Sequence, residues 1–254
     1  MSQTYVFIHG WGLNQAIWEP TMAKLPVGSQ SISLNIPGFG GAPWRTDFTD
    51  ITACAEHMAQ TIMTQSHQPV VLVGWSLGGL LATHIALRHP ELVVRLHTVA
   101  SSPCFMADPE TNWPGIQAAV LTQFQQQLET NLKATLKRFL AVQAMGSTTA
   151  RDDIQALQQL VLAQPAAKPE ALKTGLDWLA KVDLRGSLEH LKMPLWRAYG
   201  RLDSLVPVSV ATRIQHGSAS IFRHSAHTPF MNQPEAFMQW LVEPSEHSFE
   251  AESV

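Results

Sequence analysis

A serine flanked by two glycines is the first residue of the chain whose surroundings suggest chemistry. The segment Gly74-Trp75-Ser76-Leu77-Gly78 matches the pattern G-x-S-x-G, which is short and can arise by chance. Here it follows the apolar run Pro69 to Val73 and opens a helical run that continues to Arg88. A strand, a tight turn and a helix in this order hold a serine hydroxyl at the strand tip, where the helix N-terminus favours negative charge. The context predicts that Ser76 is a nucleophile.

A serine hydroxyl is a weak nucleophile until a base removes its proton and an acid orients that base. Asp203 and His227 each follow a later apolar run, in the order serine, acid, histidine that such turns use. His224 is a weaker candidate for the base, because it lies closer to its strand. Asp183 is a weaker candidate for the acid, because it lies in a helical stretch. The predicted triad therefore combines Ser76 with Asp203 and His227.

Attack on an ester carbonyl builds a negative oxygen that needs two aimed N–H donors. One predicted donor is the backbone N–H of Leu77, directly after the nucleophile. The second comes from the loop after the first apolar run, His9-Gly10-Trp11-Gly12, and Trp11 is the expected donor. We expect the Trp11 side chain to line the acyl pocket, and His9 to brace this loop rather than to act as a second base.

These residues must be held by an α/β fold, because short apolar runs alternate with helical patterns along the chain. Helices are predicted at Ile51–Gln65, Gly78–Arg88, Val208–Gln215 and Pro229–Leu241. The alternation predicts a mostly parallel sheet flanked by helices on both faces. The predicted strands are Tyr5–Ile8, Ser31–Ile36, Pro69–Val73, Arg95–Ala100, Pro194–Tyr199 and Ser218–Arg223.

One stretch breaks this alternation. From about Asp108 to Arg185 the chain shows helical periodicity and no good strand. We expect a hydrolase core formed by residues 1–107 and 186–254, with residues 108–185 as an all-helical insertion. Such insertions over parallel sheets often act as lids, and a purely structural subdomain is the alternative. The polar tail from Glu243 to Val254 is expected to be frayed and without function.

Composition narrows the functional classes. The chain has 254 residues, 45% of them hydrophobic, and a formal net charge of −3, so no global charge points to nucleic acid or to an anionic membrane. Two cysteines, Cys54 and Cys104, are too few for a disulfide framework or a metal site and are expected to be buried thiols. Without a signal peptide or an apolar run of about 18 residues, the expectation is a soluble cytoplasmic protein.

Several longer motifs carry a resemblance beyond the fold. The chain resembles the BioH family, the pimeloyl-[acyl-carrier protein] methyl ester esterases of biotin synthesis, within the α/β-hydrolase superfamily. The most specific motifs lie after the fourth strand and in the helical insertion, where hydrolases differ most. The matching segments are IHGWGLN (8–14), IPGFG (36–40), GWSLGGL (74–80), VASSPCF (99–105), WPGI (113–116), FQQQL (124–128), RFLAVQAMG (138–146) and VDLR (182–185).

The resemblance implies hydrolysis of the methyl ester of pimeloyl-[acyl-carrier protein], giving pimeloyl-carrier and methanol without a cofactor or metal. It also implies that the substrate lies between the core and the insertion. The implied contacts are Ser76, Leu77 and His227, together with Trp11 and the segment Phe139, Leu140, Ala141, Val142 and Gln143.

The same resemblance implies a basic docking surface on the insertion, because the carrier protein is acidic. Arg138 and Arg151 match the arginines that the family uses. Ala134 and Gln155 depart from that pattern, and Lys133 and Lys137, one helical turn apart, are the expected replacements. The alternative is an ordinary solvated helix face.

A further departure is at the start of the chain. The fold usually begins with an antiparallel hairpin, and only Met1 to Thr4 precede the first predicted strand. We therefore expect a shortened sheet edge there, away from the catalytic residues.

Two other functional classes remain open from the sequence. The same triad would serve a general short-chain carboxylesterase or a carbon–carbon bond hydrolase. A hydrolase-fold ligand-binding protein, acting without turnover, would not need the complete triad and oxyanion loop. A haloalkane dehalogenase is excluded, because it requires a carboxylate at the position of Ser76.

Overall fold

The computed structural model describes residues 3–145, 150–162 and 164–244. The polar tail that the sequence predicts to be frayed lies outside these described residues from position 245 onward.

The described residues form one six-stranded sheet in the order β2-β1-β3-β4-β5-β6, and every pairing in it is parallel. The α/β prediction is confirmed, and each predicted strand is present within a few residues of its expected bounds. The strands are Thr4–Ile8 (β1), Gln30–Leu34 (β2), Val70–Trp75 (β3), Val93–Val99 (β4), Leu195–Gly200 (β5) and Ser218–Phe222 (β6). Because all of them are parallel, the loops that follow them leave from one edge of the sheet.

Strand β3, in the middle of the sheet, is buried along its whole length, because helices cover both faces of the sheet. Ile8 and Leu72 pack into one core cluster, on the face that carries α2 and α3. Phe7, Val73 and Trp240 pack into a second cluster on the opposite face. Full burial of each such side chain contributes roughly 1.5–3 kcal/mol, which makes the central strands a rigid base for the loops at their ends.

The described α-helices mostly follow the predicted ones. They are Glu19–Met22 (α1), Ile51–Gln65 (α2), Leu77–Arg88 (α3), Ala118–Thr130 (α4), Leu132–Ala144 (α5), Ala150–Leu162 (α6), Pro169–Lys181 (α7), Val210–Arg213 (α8), Pro229–Asn232 (α9) and Pro234–Val242 (α10). Asp50 caps α2 by accepting a hydrogen bond from the Thr52 N–H at 2.9 Å.

Two predicted helices need correction. The helix expected over Val208–Gln215 is a single turn, α8. The helix expected over Pro229–Leu241 is divided at Gln233 into α9 and α10. Pro234 explains the break, since a proline lacks the N–H that would continue a helix and disfavours helical backbone in the residue before it.

Helices α4 to α7 form the helical insertion between β4 and β5. Its two ends lie side by side, where the Leu184 N–H donates to the Pro103 carbonyl at 2.8 Å. Arg185 joins them further through ion pairs to Asp108 at 3.2 Å and to Asp183 at 2.7 Å. We call these residues the neck of the insertion. Because the neck is closed, the chain leaves and re-enters the core at nearly one point.

No helix in the described ranges is long and apolar enough to cross a bilayer. The same residues contain no group of three or more His, Cys, Asp or Glu side chains placed to bind a metal ion.

Candidate active site

Ser76 occupies a strained turn between β3 and α3. Its backbone angles, φ 54° and ψ −120°, lie where residues with a side chain are rarely found, and such strain is common at functional sites. Its N–H donates to the Val99 carbonyl of β4 at 2.9 Å, so the neighbouring strand fixes the turn. A Cβ on Gly78 would collide with the backbone carbonyls of Ile8 and His9, which explains the second glycine of the pattern.

Asp203 and His227 lie at the ends of β5 and β6 and are hydrogen-bonded to each other. The His227 Nδ1 lies 2.7 Å from the Asp203 Oδ2, and both side chains are buried. The other carboxylate oxygen, Oδ1, accepts the N–H groups of Leu205 at 2.8 Å and Val206 at 3.0 Å. The carboxylate therefore fixes a proton on Nδ1 and leaves Nε2 as the basic nitrogen.

His227 lies next to the turn that carries Ser76, with its ring centroid 5.6 Å from that of Trp75. Nε2 is buried and has no hydrogen-bond partner among the described residues. The residue before Ser76 contacts the same histidine, since the Trp75 Nε1–H donates to the His227 carbonyl at 2.8 Å. No hydrogen bond yet joins Nε2 to the Ser76 hydroxyl, and such bonds commonly tighten only when substrate binds.

The weaker candidates from the sequence are placed differently. His224 is exposed, and its backbone N–H donates to Gln233. Asp183 belongs to the neck of the insertion and pairs with Arg185, not with His227. The structure therefore brings together the preferred acid and base.

The predicted oxyanion loop lies directly against the nucleophile. A Cβ on Gly10 would approach the Ser76 Cβ to 3.2 Å, so the two backbones are in contact. Leu77 is the first residue of α3, where an N–H has no acceptor within the helix. The Trp11 side chain is 1% exposed, and its Nε1–H donates to the Leu172 carbonyl of α7 at 2.8 Å. The insertion thus covers the loop.

His9 braces this loop, as the sequence suggested. Its Nε2 accepts the Ile36 N–H at 3.0 Å, so the ring proton is on Nδ1, which donates to the Gly10 carbonyl at 2.7 Å. Complete burial lowers the pKa of His9 to about 4, which keeps the ring neutral near pH 7. A neutral ring with both nitrogens engaged is a structural support and is unsuited to act as a second base.

An aromatic cluster closes the space above the oxyanion loop. The rings of Phe124 and Phe139 lie edge-on to the Trp11 ring, at centroid distances of 5.4 and 4.9 Å. Both phenylalanines come from the insertion, on α4 and α5. Trp11 and Phe139, both predicted to contact the substrate, thus pack against each other, and together they form an apolar wall suited to an acyl chain.

The predicted substrate segment of α5 divides into an inner and an outer face. Leu140 is 7% exposed, Gln143 is fully buried and Val142 is half-buried. Ala141 is exposed, and its expected role as a substrate contact stays a prediction. Helical geometry explains the difference, since residues 139 and 143 share one face of a helix and 141 lies nearly opposite.

Gln143 contacts the predicted base, His227, directly. Its carbonyl accepts the His227 N–H at 3.1 Å. Its side-chain amide is buried, and neither the nitrogen nor the oxygen has a hydrogen-bond partner among the described residues. Leaving such a group unpaired costs about 1–3 kcal/mol, so a polar ligand group beside His227 would be stabilised here.

A second tie between the insertion and the histidine loop was not found from the sequence. The Asn232 side chain donates to the Asp153 carboxylate of α6 and accepts the Ala226 N–H at 3.2 Å. Ala226 directly precedes His227. An Asn after a short helix and an Asp in the insertion carry no pattern that would pair them, because 79 positions separate them.

The predicted docking residues face solvent. Lys133, Lys137 and Arg138 are exposed on α5, and Arg151 is exposed at the start of α6. Asp153 is turned inward to Asn232, which leaves fewer acidic groups beside the exposed cations than the sequence suggested. Asp152 remains exposed beside Arg151, so α5 and α6 carry four exposed cations against one exposed carboxylate and form a basic surface.

Comparison with known proteins identifies the same fold and, within that fold, a more specific group of related esterases. A sequence model for the alpha/beta hydrolase fold matches residues 5–234. The pimeloyl-[acyl-carrier protein] methyl ester esterase of Vibrio cholerae is 44% identical over 245 residues, which cover 95% of this chain and 93% of that protein. The protein of the same name from Photobacterium profundum is 46% identical over 241 residues, covering 93% and 92%.

Solved structures with lower sequence identity share the architecture. An esterase from Exiguobacterium antarcticum has a TM-score of 0.84 at 22% identity, and a bromoperoxidase from Bacillus anthracis has a TM-score of 0.84 at 18% identity. Each alignment covers 95% of this chain and 91% of the other. At these identities the likeness supports the fold alone.

Proposed function

Because this chain belongs to the α/β hydrolases and, within them, to the pimeloyl-[acyl-carrier protein] methyl ester esterases, we propose that it hydrolyses the methyl ester of pimeloyl-[acyl-carrier protein] in biotin synthesis. The observation that carries the proposal is the buried Asp203–His227 pair at the strand ends beside the strained Ser76. The products are methanol and the carrier-bound pimeloyl group with a free carboxylate.

The reaction proceeds in two halves. In the first, the Ser76 oxygen attacks the ester carbonyl while Nε2 of His227 takes the serine proton, and methanol leaves with that proton. In the second, water attacks the acyl-serine, gives a proton to Nε2, and releases the pimeloyl carboxylate as Ser76 is restored. Backbone N–H groups of Leu77 and Trp11 stabilise the oxyanion of each tetrahedral intermediate. Asp203 stays ionised and orients the imidazole throughout.

The helical insertion supports a lid role in this scheme. Ser76 and His227 are only 5% and 1% exposed, and the aromatic cluster covers the oxyanion loop. Because Ser76 is nearly buried beneath the insertion, movement of the insertion away from the core would admit a carrier-bound chain. Closure would then exclude water and place the acyl chain against Trp11 and Phe139.

The basic surface of α5 and α6 supports docking of an acidic carrier protein. Complementary charge mainly increases the rate of encounter and fixes orientation, so it should act on the carrier substrate and not on small esters. Lys133 and Lys137 supply further exposed positive charge on the helix that carries Arg138. This arrangement compensates in charge for the neutral Ala134 and Gln155.

The decisive test of the function is methanol release from pimeloyl-carrier methyl ester by the purified protein. A matched assay in cells is rescue of a biotin auxotroph that lacks this esterase. Ser76→Ala is the control for both assays and should show neither methanol release nor rescue of growth. A protein that hydrolyses short aryl esters but leaves the carrier ester intact would instead be a general carboxylesterase.

The docking surface has a separate test. Reversing the charge at Arg138 and Arg151 to glutamate should raise KM for the carrier ester about tenfold and leave a small ester unchanged. Lys192→Glu, at an exposed lysine outside the insertion, is the matched control. Equal losses on both esters would refute docking at this surface.

We further infer a cytoplasmic monomer that needs no metal, membrane or nucleic acid. Cys54 and Cys104 are free and buried, which fits a reducing compartment, and burial raises the pKa of Cys54 to about 12. Sedimentation of the purified protein tests the oligomeric state.

A further inference from the structure

The carbonyl of Ser76 is held by a hydroxyl group from the segment that follows β4. The Ser76 carbonyl accepts the Ser101 Oγ–H at 2.7 Å. It also accepts the N–H groups of Gly79 at 2.9 Å and Leu80 at 3.3 Å, the usual partners at the start of a helix. Ser101 is 3% exposed, so water does not compete for this bond. The hydrogen bond from the Ser101 hydroxyl is therefore additional to those that form the first turn of α3.

The Ser101 hydroxyl reaches this carbonyl through a second strained residue. Ala100, at the end of β4, has φ 44°, a left-handed conformation that is uncommon for alanine. Its N–H donates to the Ala198 carbonyl of β5 at 2.7 Å, which anchors it in the sheet. Strain of this kind persists only where the surroundings over-determine the conformation. The kink turns the chain so that Ser101 faces the end of β3.

The space around Ser101 is matched to its small side chain. A Cβ on Gly79 would lie 2.5 Å from both the Cβ and the Oγ of Ser101. Glycine at 79 therefore lets the hydroxyl approach the turn. The contact is built from both sides, by a glycine on α3 and a serine after β4.

Holding the Ser76 carbonyl also orients an oxyanion donor. The Ser76 C=O and the Leu77 N–H belong to one rigid peptide plane and point in opposite directions. A hydrogen bond that fixes the carbonyl from behind therefore fixes the direction of the Leu77 N–H in front. We propose that Ser101 is a positioning residue, which aims the Leu77 N–H at the oxyanion by holding the Ser76 carbonyl.

This inference rests on the proposed function only in assigning Ser76 and Leu77 to an ester-hydrolysing site. Because aimed donors act on the transition state, losing the Ser101 hydroxyl should lower kcat and leave KM nearly unchanged. Ground-state binding would not sense the peptide plane, since the charge on the oxygen develops only during reaction.

The test compares Ser101→Ala with Ser102→Ala on a short aryl ester. Ser102 is the matched control, because it is adjacent and 5% exposed and its hydroxyl donates to the Cys104 carbonyl, away from Ser76. Both variants lose one buried hydroxyl and should lower Tm. Only Ser101→Ala should lower kcat, by about tenfold, with KM within about twofold. Its affinity for a boronic acid that forms a tetrahedral serine adduct should fall by a similar factor.

Ser101→Cys keeps the small side chain with a weaker donor, should give an intermediate kcat, and serves as the test if Ser101→Ala fails to fold. Equal kcat in the variants at 101 and the Ser102→Ala control, or a change confined to KM, would overturn the proposal. The aryl ester separates this outcome from the proposed function. A wild-type enzyme that cleaves the aryl ester but not the carrier ester would refute the substrate and still test Ser101.

Discussion

The nucleophile and the base of the proposed mechanism are held by different parts of the molecule. Ser76 is fixed by the sheet: its N–H donates a hydrogen bond to the Val99 carbonyl, and its carbonyl accepts one from the Ser101 hydroxyl. His227 is bonded to Asp203 in the core, but its N–H donates to Gln143 of the helical insertion. The sheet therefore sets the geometry of the serine, whereas the position of the insertion also affects the histidine.

This difference suggests how a lid can influence chemistry without touching the nucleophile. Movement of the insertion would break the Gln143 bond and disturb Asn232, which joins Asp153 of α6 to the loop of His227. Ser76 would keep its strained turn. The open enzyme would then have a prepared nucleophile and a less ordered base, and closure over substrate would complete the site.

The largest expected effect tests Ser76, the residue that the sheet holds in place. Ser76→Ala should lower turnover by about 10⁴-fold or more, because no other group supplies the nucleophile. The alanine keeps the Cβ and the turn, so Tm should change little. Steady-state hydrolysis of a small ester and thermal unfolding measure the two quantities. Retention of more than a few per cent of turnover would remove Ser76 from the mechanism.

Asp203→Asn tests the hydrogen bond that holds His227 to the core. The N–H groups of Leu205 and Val206 would hold the amide oxygen, which leaves the amide nitrogen facing Nδ1 of His227. The imidazole would then carry its proton on Nε2, where it cannot accept one from serine. We expect a loss of about 10²–10⁴-fold in kcat. Asp183→Asn, at the weaker candidate acid, should stay within twofold, and a comparable loss there would contradict the assignment.

Stability should depend on pH through buried histidines on the sheet side. Burial lowers the pKa of His9 to about 4 and that of His97 well below its usual value. Between pH 6.5 and 4 the unfolded chain binds these protons and the folded protein does not. The free energy of unfolding should therefore fall as the pH falls through this window, on the order of 3 kcal/mol for His9 alone.

Denaturant unfolding at several pH values measures this slope. His9→Asn should flatten it, whereas His67→Gln, at an exposed histidine, should leave it unchanged. An identical slope in the His9 variant would mean that this imidazole stays unprotonated in the unfolded chain or is protonated in the fold.

The smallest expected effect sharpens the comparison most, because it isolates the hydrogen bonds through which Asn232 joins the His227 loop to the insertion. Asn232→Ala should lower kcat about three- to tenfold by loosening the His227 loop from α6. Gln233→Ala is the matched control, since its side chain binds His224 and Ser225 of the same loop without reaching the insertion. Kinetics on a small ester compare the two. Equal losses would show that only order within the loop matters.

The sequence was sufficient for the framework of the site. Each catalytic candidate follows an apolar run, and parallel strands bring such positions to one edge, so the pairing of Asp203 with His227 could be predicted. The break before Pro234 could also have been predicted, because the proline itself carries the signal. Apolar runs and prolines of this kind can be predicted because they act on residues close to them in the sequence.

The supports of the site could not be predicted in the same way. The Gln143 carbonyl that binds His227 is a backbone group, and every residue has one. The Ser101 contact depends on a kink at Ala100, a residue type that seldom adopts a left-handed conformation. Both contacts arise from the packing of distant segments, which no spacing in the sequence records.

The closed neck of the insertion has a consequence for evolution and engineering. Because the bond from Leu184 to Pro103 places both ends of the insertion together, the four helices could be exchanged for another helical unit with little effect on the sheet. The serine, its strained turn and the aspartate would remain with the core, and the new unit would bring its own acyl wall and docking charges. It would also have to supply a partner for the backbone of His227, so substrate choice and base alignment would be inherited together.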